Sequence, residues 1–318
     1  MHKYKILCIT PIKHIPNIED ALRKLGDLTI IDDPLPEDLK LIDNDFDIIF
    51  TNPNKSKIYI GPELFESWKS LKFVCTASTG TVHIDKDFIE KRGIQLISLT
   101  KEYEVLKTIS STAELAFTLM MSSLRNLIPA YHSVKKEEWN YEPFIGRQLN
   151  KLKICVFGYG RLGTMFAKFC HAFGADVYVY DPYKEIPSDY NELVDLSNDL
   201  KKIDVISIHM HVDHSTENFF DKNIFDNLKH DVLIINTARG ELINEDHLID
   251  FLERNSKSKI ASDVLSGEIF GFKNSKLYEY SKSSSQVLLS PHIGGMTIDA
   301  QEIAYSHAVK LLSIYLDK

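Results

Sequence analysis

The feature that most constrains the fold of this chain is a glycine pattern directly after a short apolar run. Residues 153–157 form the apolar run, and a stretch with helical character, residues 164–173, follows after six intervening residues. Between them lie Gly158-Tyr159-Gly160-Arg161-Leu162-Gly163. A strand, a glycine-rich turn and a helix in this order open a dinucleotide-binding parallel sheet, in which the three glycines permit a tight turn, close approach of a pyrophosphate, and packing of helix on strand. The pattern therefore predicts an α/β fold with a doubly wound Rossmann sheet.

A carboxylate follows this turn at the distance that a ribose ligand requires. The next apolar run, residues 176–180, ends at Asp181, close to the ~20-residue offset typical of the ribose-binding acid. A carboxylate there accepts hydrogen bonds from ribose hydroxyls and repels a 2′-phosphate, so Asp181 favours NAD over NADP. A glycine-rich turn in an unrelated α/β protein is the alternative. The flanking strand, helix and acid together favour NAD as cofactor, with Gly158, Gly160, Gly163 and Asp181 as ligands.

Strand-like and helical segments alternate on both sides of one long amphipathic stretch. A length of 318 residues exceeds what one core usually supports, so we expect two domains. The stretch from Ser111 to about Lys136 is predicted as a single linking helix, and a last helix over residues 298–316 is expected to return to the first domain. The predicted domains are a discontinuous substrate domain, 1–103 and 290–318, and an NAD-binding domain, 104–289.

Charge and cysteine usage exclude several classes of partner. A formal net charge of -8 argues against binding to nucleic acid or to an anionic membrane, since both would be repelled. The four cysteines form no C-x-x-C pair, which indicates buried thiols in a reducing cytoplasm and no zinc site. No apolar stretch of 18 residues is present, so no membrane span is predicted.

Three polar groups follow later apolar runs, at the sheet edge where open α/β folds bind ligands. They are Arg239, Glu268 and His292, and they suit the reduction of a 2-keto acid. Histidine readily exchanges a proton near neutral pH, and a neighbouring carboxylate would stabilise its charged form. A planar guanidinium can hold a substrate carboxylate and polarise the keto oxygen. These residues are the predicted catalytic group.

At these residues the chain resembles the D-isomer-specific 2-hydroxyacid dehydrogenases. The resemblance covers nearly the whole chain, and the spacings are specific: 24 residues from Arg239 to Asp263, five to Glu268, and 24 more to His292. It implies that Arg239 orients the substrate, that Glu268 pairs with His292, and that His292 is the acid/base. It also implies a flavodoxin-like substrate domain beside the Rossmann domain, a cleft between them, and a homodimer formed largely by cofactor domains.

The same resemblance extends the candidate binding sites. In the first domain, the loop around Ser78, Thr79 and Gly80 resembles the one whose backbone N–H groups hold the substrate carboxylate. Asp263 matches the acid that contacts the nicotinamide carboxamide. The remaining cofactor ligands implied are Arg161, Leu162, Thr237, Ala238, Arg239, His292, Gly294 and Gly295. The chain departs from the family pattern at His211, where a proline is usual, and after Glu268, where Ile269-Phe270-Gly271-Phe272 replaces an acidic-proline run.

Several alternatives stay open from the sequence. Asn54 and Lys55 lie in a polar loop that is either simply solvated or a receptor for a distal anionic group of the substrate. His209, His211 and His214 form either an ordinary loop or a metal site, and the first is favoured. Formate oxidation is disfavoured, because that branch of the family holds Gln at the position of Glu268. An NAD(H)-sensing binding protein with the same fold is the rival from another functional class. The sequence does not identify the 2-hydroxy acid.

Overall fold

The computed structural model describes residues 4–43, 45–53 and 58–317 and divides into two compact units. Unit 1 comprises residues up to Ile109 together with Met296 onwards, and unit 2 runs from Ser110 to Gly295. The elements of unit 1 before the crossover are β1 (Tyr4–Cys8), α1 (Ile18–Leu25), β2 (Gly26–Ile30), α2 (Pro36–Lys40), β3 (Ile48–Thr51), α3 (Pro62–Phe65), β4 (Phe73–Thr76), α4 (Lys86–Arg92), β5 (Gln95–Ile97) and α5 (Tyr103–Leu106).

Unit 2 begins with two helices and continues as alternating strands and helices. Its elements are α6 (Ser111–Leu124), α7 (Leu127–Lys135), β6 (Lys153–Phe157), α8 (Arg161–Ala172), β7 (Asp176–Tyr180), β8 (Asn191–Glu192), α9 (Leu196–Asp199), β9 (Val205–Ile208), α10 (Lys222–Phe225), β10 (Leu233–Asn236), α11 (Glu245–Arg254), β11 (Lys259–Ser262), α12 (Glu268–Gly271), α13 (Lys276–Ser281) and β12 (Val287–Leu289). The chain then returns to unit 1 as α14 (Ile298–Leu316).

Both sheets are parallel, and their strand orders confirm the predicted fold class. The sheet of unit 1 has the order β2-β1-β3-β4-β5, which is the flavodoxin-like arrangement. The sheet of unit 2 has the order β12-β11-β10-β9-β6-β7-β8, which is the Rossmann order extended by one strand. In the second sheet the direction of winding changes between β6 and β9, so a ligand crevice is expected at their carboxyl ends.

Neighbouring side chains along a strand point to opposite faces of a sheet, and in both units apolar residues cover both faces. On β6, Cys155 and Phe157 pack into one core cluster, whereas Ile154 and Val156 pack into another. In unit 1, Ile6 and Cys8 of β1 join a cluster that contains α14. The Rossmann and flavodoxin-like sheets thus each bury two apolar layers.

The long linking helix predicted from the sequence is interrupted. α6 ends at Leu124 and α7 begins at Leu127, because Asn126 adopts a left-handed backbone with φ 50°. The Asn126 side chain accepts a hydrogen bond from Lys259 Nζ at 2.6 Å and donates one to the Ile145 carbonyl at 3.3 Å. These tertiary contacts hold a break that the apolar periodicity does not signal.

The crossover points of the units differ from the predicted domain boundaries after residues 103 and 289. Leu106 and Ile109 pack into the core of unit 1, so the chain leaves that unit only after Ile109. At the second crossover, backbone N–H groups of Ile293 and Gly294 donate to the Asp263 carboxylate, which ties the segment up to Gly295 to unit 2. Among the described residues, no helix has the length and apolarity needed to cross a membrane.

The packing of α14 generates the first prediction. Leu312 is fully buried against the sheet of unit 1, whereas Ile314 on the same helix is 45% exposed. Leu312→Ala should lower the free energy of unfolding by about 2–5 kcal/mol, because it leaves a cavity. Ile314→Ala is the matched control and should change it by less than about 0.5 kcal/mol. Urea unfolding followed by circular dichroism measures both, and equal shifts for the two variants would contradict this packing.

Candidate functional site

The glycine-rich turn lies at the carboxyl end of β6, where the winding of the unit 2 sheet changes. Gly158 has φ 89°, and a Cβ there would lie 2.8 Å from the carbonyl carbon of His209. A Cβ on Gly163 would lie 1.9 Å from the Gly158 carbonyl oxygen. The packing of the protein itself therefore requires glycine at both positions.

Gly160 differs from its two neighbours, since a Cβ there would meet no atom within 4 Å. Gly160 is also the N-cap of α8, and no side chain caps this helix. A 12-residue helix thus begins with backbone N–H groups beside an open glycine surface, which is the geometry that binds a pyrophosphate. Arg161 and Leu162, in the first turn of α8, are half-buried, and burial lowers the pKa of the Arg161 guanidinium. The residues present fit a dinucleotide.

Asp181 follows β7 and is fixed against the glycine-rich turn. Its Oδ2 accepts a hydrogen bond from the Tyr159 backbone N–H at 2.7 Å, and its Oδ1 accepts one from Tyr183 N–H at 2.9 Å. Each carboxylate oxygen can accept a second hydrogen bond, so Asp181 keeps the capacity to accept from ribose hydroxyls.

The turn after β10 is clamped by the side chain of Asn236. Its Oδ1 accepts from Ala238 N–H at 3.0 Å, and its Nδ2 donates to the Arg239 carbonyl at 2.9 Å. Arg239 is half-buried, and the Thr237 hydroxyl is buried with no hydrogen-bond partner within the described parts of the chain. The Thr237 hydroxyl therefore remains able to donate a hydrogen bond and to accept one.

Asp263, at the end of β11, organises the loop that carries His292. The Asp263 carboxylate accepts hydrogen bonds from Ser290 Oγ at 2.5 Å, Ile293 N–H at 2.9 Å and Gly294 N–H at 2.7 Å. Its backbone carbonyl accepts from His292 N–H at 2.9 Å. Burial raises the pKa of the Asp263 carboxyl against the opposing effect of these donors. The Asp263 carboxylate thus fixes the loop after β12 through three hydrogen bonds.

The held loop places His292 in an uncommon backbone conformation. His292 has φ 53°, in the left-handed region that few residues other than glycine adopt, although Asn, Asp and His occur there more often than the rest. A Cβ on Gly294 would lie 3.2 Å from Asp263 Oδ2 and 3.1 Å from Thr112 Cγ2, so the loop packs closely there. A Cβ on Gly295, the next residue, would meet no atom within 4 Å.

Glu268 and His292 form a direct pair between the loops after β11 and β12. His292 Nδ1 is hydrogen-bonded to Glu268 Oε1, and the two side chains are 29% and 23% exposed. Glu268 Oε2 accepts from Leu265 N–H at 3.0 Å, which fixes the carboxylate. With Nδ1 engaged, Nε2 of His292 is the ring nitrogen left for a ligand. The predicted Glu–His partnership is therefore present in the geometry.

The Arg239 loop lies against the loop that carries Glu268. A Cβ on Gly240 would lie 2.1 Å from the carbonyl carbon of Leu265. β10, β11 and β12 are neighbours in the sheet, so Arg239, Glu268 and His292 follow three adjacent strand ends. Parallel strands bring their carboxyl ends to one edge, and the three side chains share that edge.

In unit 1, the loop after β4 carries Ser78, Thr79 and Gly80. Ser78 Oγ donates to the Gly80 carbonyl at 2.6 Å, and the Thr79 carbonyl accepts from Thr100 Oγ1 at 2.9 Å. Thr79 is exposed, whereas Ser78 and Gly80 are half-buried. Asn54 and Lys55 lie outside the described residues.

The His209 segment has ordinary loop contacts. His209 Nε2 is hydrogen-bonded to Ser207 Oγ at 2.8 Å, and burial lowers the pKa of His209 to about 3. The His211 carbonyl accepts from Thr216 Oγ1 at 2.7 Å. Over the residues that the structure describes, no group of three or more His, Cys, Asp and Glu side chains is placed to hold a metal ion.

Sequence reasoning missed three supporting residues. Asn236 clamps the Arg239 turn, Ser290 donates to Asp263, and Glu241 Oε1 accepts from Gly267 N–H at 3.2 Å. A polar residue directly at the end of an apolar run was the available signal for Asn236 and Ser290. Nothing local marks Glu241, whose partner lies 26 residues away.

Fold and site together define a two-unit α/β protein with a dinucleotide-binding sheet, and comparison with known proteins specifies its family. Residues 117–294 match the family model described as D-isomer specific 2-hydroxyacid dehydrogenase, NAD binding domain. The chain belongs to this family, and NAD is its cofactor.

The relatives are similar over most of this chain. It is 30% identical over 289 residues to the chloroplastic D-3-phosphoglycerate dehydrogenase 2 of Arabidopsis thaliana, covering 89% of this chain and 44% of that protein. The hydroxypyruvate reductase of Thermotoga maritima is 29% identical over 250 residues, 78% of each chain. The crystal structure of the Aquifex aeolicus D-lactate dehydrogenase with NAD and lactic acid has a TM-score of 0.77 and 25% identity, covering 98% and 95% of the two chains. The chain spans about half the length of the phosphoglycerate dehydrogenases that it matches.

The contrast between two glycines provides the second prediction. Gly160→Ala should leave the unfolding midpoint unchanged but raise the Kd for NADH at least about tenfold, because its Cβ enters only the space of the cofactor. Gly163→Ala should lower the free energy of unfolding by about 1–3 kcal/mol, because its Cβ meets the Gly158 carbonyl. Fluorescence titration and thermal unfolding measure the two effects. NADH binding of wild-type strength by Gly160→Ala would refute the placement of the pyrophosphate.

Proposed function

We propose that this protein is an NAD-dependent dehydrogenase that interconverts a small D-2-hydroxy acid and its 2-keto acid. The observation that carries the proposal is the His292–Glu268 pair on a loop held by Asp263, beside Arg239, at the carboxyl edge of the Rossmann sheet. A proton donor with a half-buried carboxylate partner, beside a guanidinium and a nicotinamide site, is what reduction of a keto acid requires.

The cofactor would be held along the strand ends of unit 2. Gly158, Gly160 and the first turn of α8, Arg161 to Gly163, would receive the pyrophosphate, and Asp181 the ribose. Thr237, Ala238, Gly294 and Gly295 line the strand ends towards β12, where the nicotinamide would lie with its carboxamide near Asp263. The bound cofactor would supply the redox chemistry, as NAD the hydride acceptor for C2 of the hydroxy acid and as NADH the hydride donor to C2 of the keto acid.

His292 exchanges the proton that accompanies this hydride. Glu268 holds Nδ1, so Nε2 carries or receives the proton at the substrate 2-oxygen. Reduction begins with protonated His292, whose charge Glu268 stabilises, and oxidation begins with the neutral ring. Because Asp263 fixes the loop, the imidazole is positioned before substrate arrives.

In unit 2, Arg239 would hold the substrate. Its guanidinium would pair with the substrate carboxylate and polarise the keto oxygen, which sets C2 in one orientation. In unit 1, the backbone N–H groups of residues 78–80 are the groups that we propose for binding a substrate carboxylate. The names of the relatives support phosphoglycerate, hydroxypyruvate or lactate as the substrate class.

Glu268 argues against formate oxidation, because that reaction releases no hydroxyl proton and needs no acid/base pair. The sensing alternative, in which NAD(H) binding controls a partner and no reaction occurs, is supported only by the dinucleotide site. The hydrogen-bonded His292–Glu268 pair favours catalysis.

The third prediction concerns turnover. Wild type should oxidise NADH with at least one of glyoxylate, pyruvate, hydroxypyruvate, 3-phosphohydroxypyruvate and 2-ketoglutarate, and His292→Asn should lower kcat about 10²–10⁴-fold. Asparagine tolerates the left-handed backbone of position 292, so this variant removes the imidazole with little change to the loop. Turnover by His292→Asn at the wild-type rate would contradict the assignment.

A homodimer in the cytoplasm is the further part of this proposal. The segment of unit 2 from α7 to β6 exposes a large apolar surface: Leu127, Ile128, Tyr131, Val134, Trp139, Tyr141 and Ile145. Trp139 is 92% exposed, which favours burial against a second copy. Burial raises the pKa of all four free cysteine thiols, which suits a reducing compartment.

The fourth prediction tests this surface. Wild type should sediment as a dimer, and Trp139→Ser should shift the equilibrium towards monomer at micromolar concentration. Leu41→Ser in unit 1, where the side chain is 85% exposed, is the control and should leave the dimer intact. A monomeric wild type, or equal behaviour of the two variants, would refute the interface.

A further inference from the structure

His83 is a fully buried histidine that the proposed mechanism does not use. It follows the loop of residues 78–80 in unit 1 and has no exposed surface. Its carbonyl accepts from Ile60 N–H at 2.9 Å, which fixes its backbone. Burial lowers the pKa of His83 to about 4, so the ring is neutral near pH 7. A neutral histidine carries one N–H, and the position of that hydrogen follows from its neighbours.

The His83 side chain begins a chain of hydrogen bonds that ends in the loop. His83 Nε2 lies 3.3 Å from Thr76 Oγ1, Thr76 Oγ1 lies 3.0 Å from Ser78 Oγ, and Ser78 Oγ donates to the Gly80 carbonyl at 2.6 Å. A hydroxyl has one hydrogen to donate, and the hydrogen of Ser78 goes to Gly80. Thr76 must therefore donate to Ser78, and His83 Nε2–H must donate to Thr76.

The donor direction of these hydrogen bonds determines what remains unpaired at His83 and at Ser78, the two ends of the series. At the buried end, Nδ1 of His83 is an acceptor with no partner among the described residues. An unpaired buried acceptor lowers the stability of the folded protein, and such groups are often retained where the function requires them. At the other end, the Ser78 hydroxyl has no hydrogen left for an anion. Any carboxylate at this loop must then be bound by the backbone N–H groups, whose direction depends on the Ser78–Gly80 turn.

We propose that His83 is a positioning residue for substrate: through Thr76 and Ser78 it fixes the turn at residues 78–80 so that its backbone N–H groups bind the 2-keto acid carboxylate. This inference rests on the proposed function of the loop. Thr76, the middle member, is fully buried at the end of β4, so strand and loop are joined by a polar chain inside an apolar unit.

The test is a comparison of KM with kcat, using the 2-keto acid that wild type reduces. His83→Phe keeps an aromatic ring at the buried position but removes the donor, and should raise KM for the keto acid about tenfold. The value of kcat should change less than about twofold, and the Kd for NADH should not change, because the reacting groups and the cofactor site lie in unit 2. Thr76→Val, which has the same shape, should raise KM similarly.

Two further variants separate positioning from general structural damage. His83→Gln retains an amide donor and should recover part of the lost affinity. The double variant of His83→Phe and Thr76→Val should raise KM no more than either single variant, because each of these variants breaks the same series of hydrogen bonds. Ile89→Ala, at a buried position of α4 in the same unit, is the control and should lower stability without changing KM. An unchanged KM in His83→Phe, or an equal rise in Ile89→Ala, would overturn the proposal.

Amide hydrogen exchange tests the same chain without turnover. Residues 78–81 should exchange faster in His83→Phe and Thr76→Val than in wild type, and at the wild-type rate in Ile89→Ala. If the wild-type protein reduced no keto acid, but residues 78–81 still exchanged faster in the two variants, the proposed function would be refuted and the positioning role of His83 would be retained. Unchanged exchange in both chain variants would refute the positioning role alone.

Discussion

The carboxylate of Asp263 accepts three hydrogen bonds from the loop after β12, and the proposed site depends on them. The left-handed backbone of His292 costs roughly 1–2 kcal/mol. A hydrogen bond to a charged group contributes about 1.5–3 kcal/mol, so the three together outweigh that cost. Without Asp263, the loop would relax towards an ordinary backbone, and the His292–Glu268 pair would lose its alignment.

The doubly wound sheet brings the rest of the site to the same edge. β6, β9, β10, β11 and β12 are neighbours in order, and the residues that follow them carry the glycine turn, the Arg239 turn, Glu268 and His292. Strand pairing alone thus juxtaposes groups that are more than 130 residues apart in sequence. Polar side chains at strand ends, such as Asn236 and Ser290, then set the direction of each loop.

Apolar periodicity in the sequence predicted strands and helices of the fold, but it did not predict the tertiary contacts that interrupt a helix or shape a loop. The strands over 153–157 and 176–180 and the helix over 298–316 have the bounds that the sequence pattern predicts, because apolar residues there match the buried faces. The break at Asn126 depends on a lysine on β11, which no local window contains. β8 has two exposed polar residues and therefore no apolar signal. The resemblance predicted the Glu268–His292 pair but not the hydrogen bonds by which Asp263 shapes the loop.

In the proposed reaction, hydride passes to C2 of a keto acid at the sheet edge that carries His292. The most direct test uses NADH with deuterium at both positions of C4 of the nicotinamide, with the product 2-hydroxy acid analysed by mass spectrometry. We expect one deuterium, at C2, in the product formed by wild type, and almost no deuterated product from His292→Asn over the same time. Tight binding of the labelled NADH with no deuterated product from any 2-keto acid would contradict the proposed reaction and favour a sensing protein.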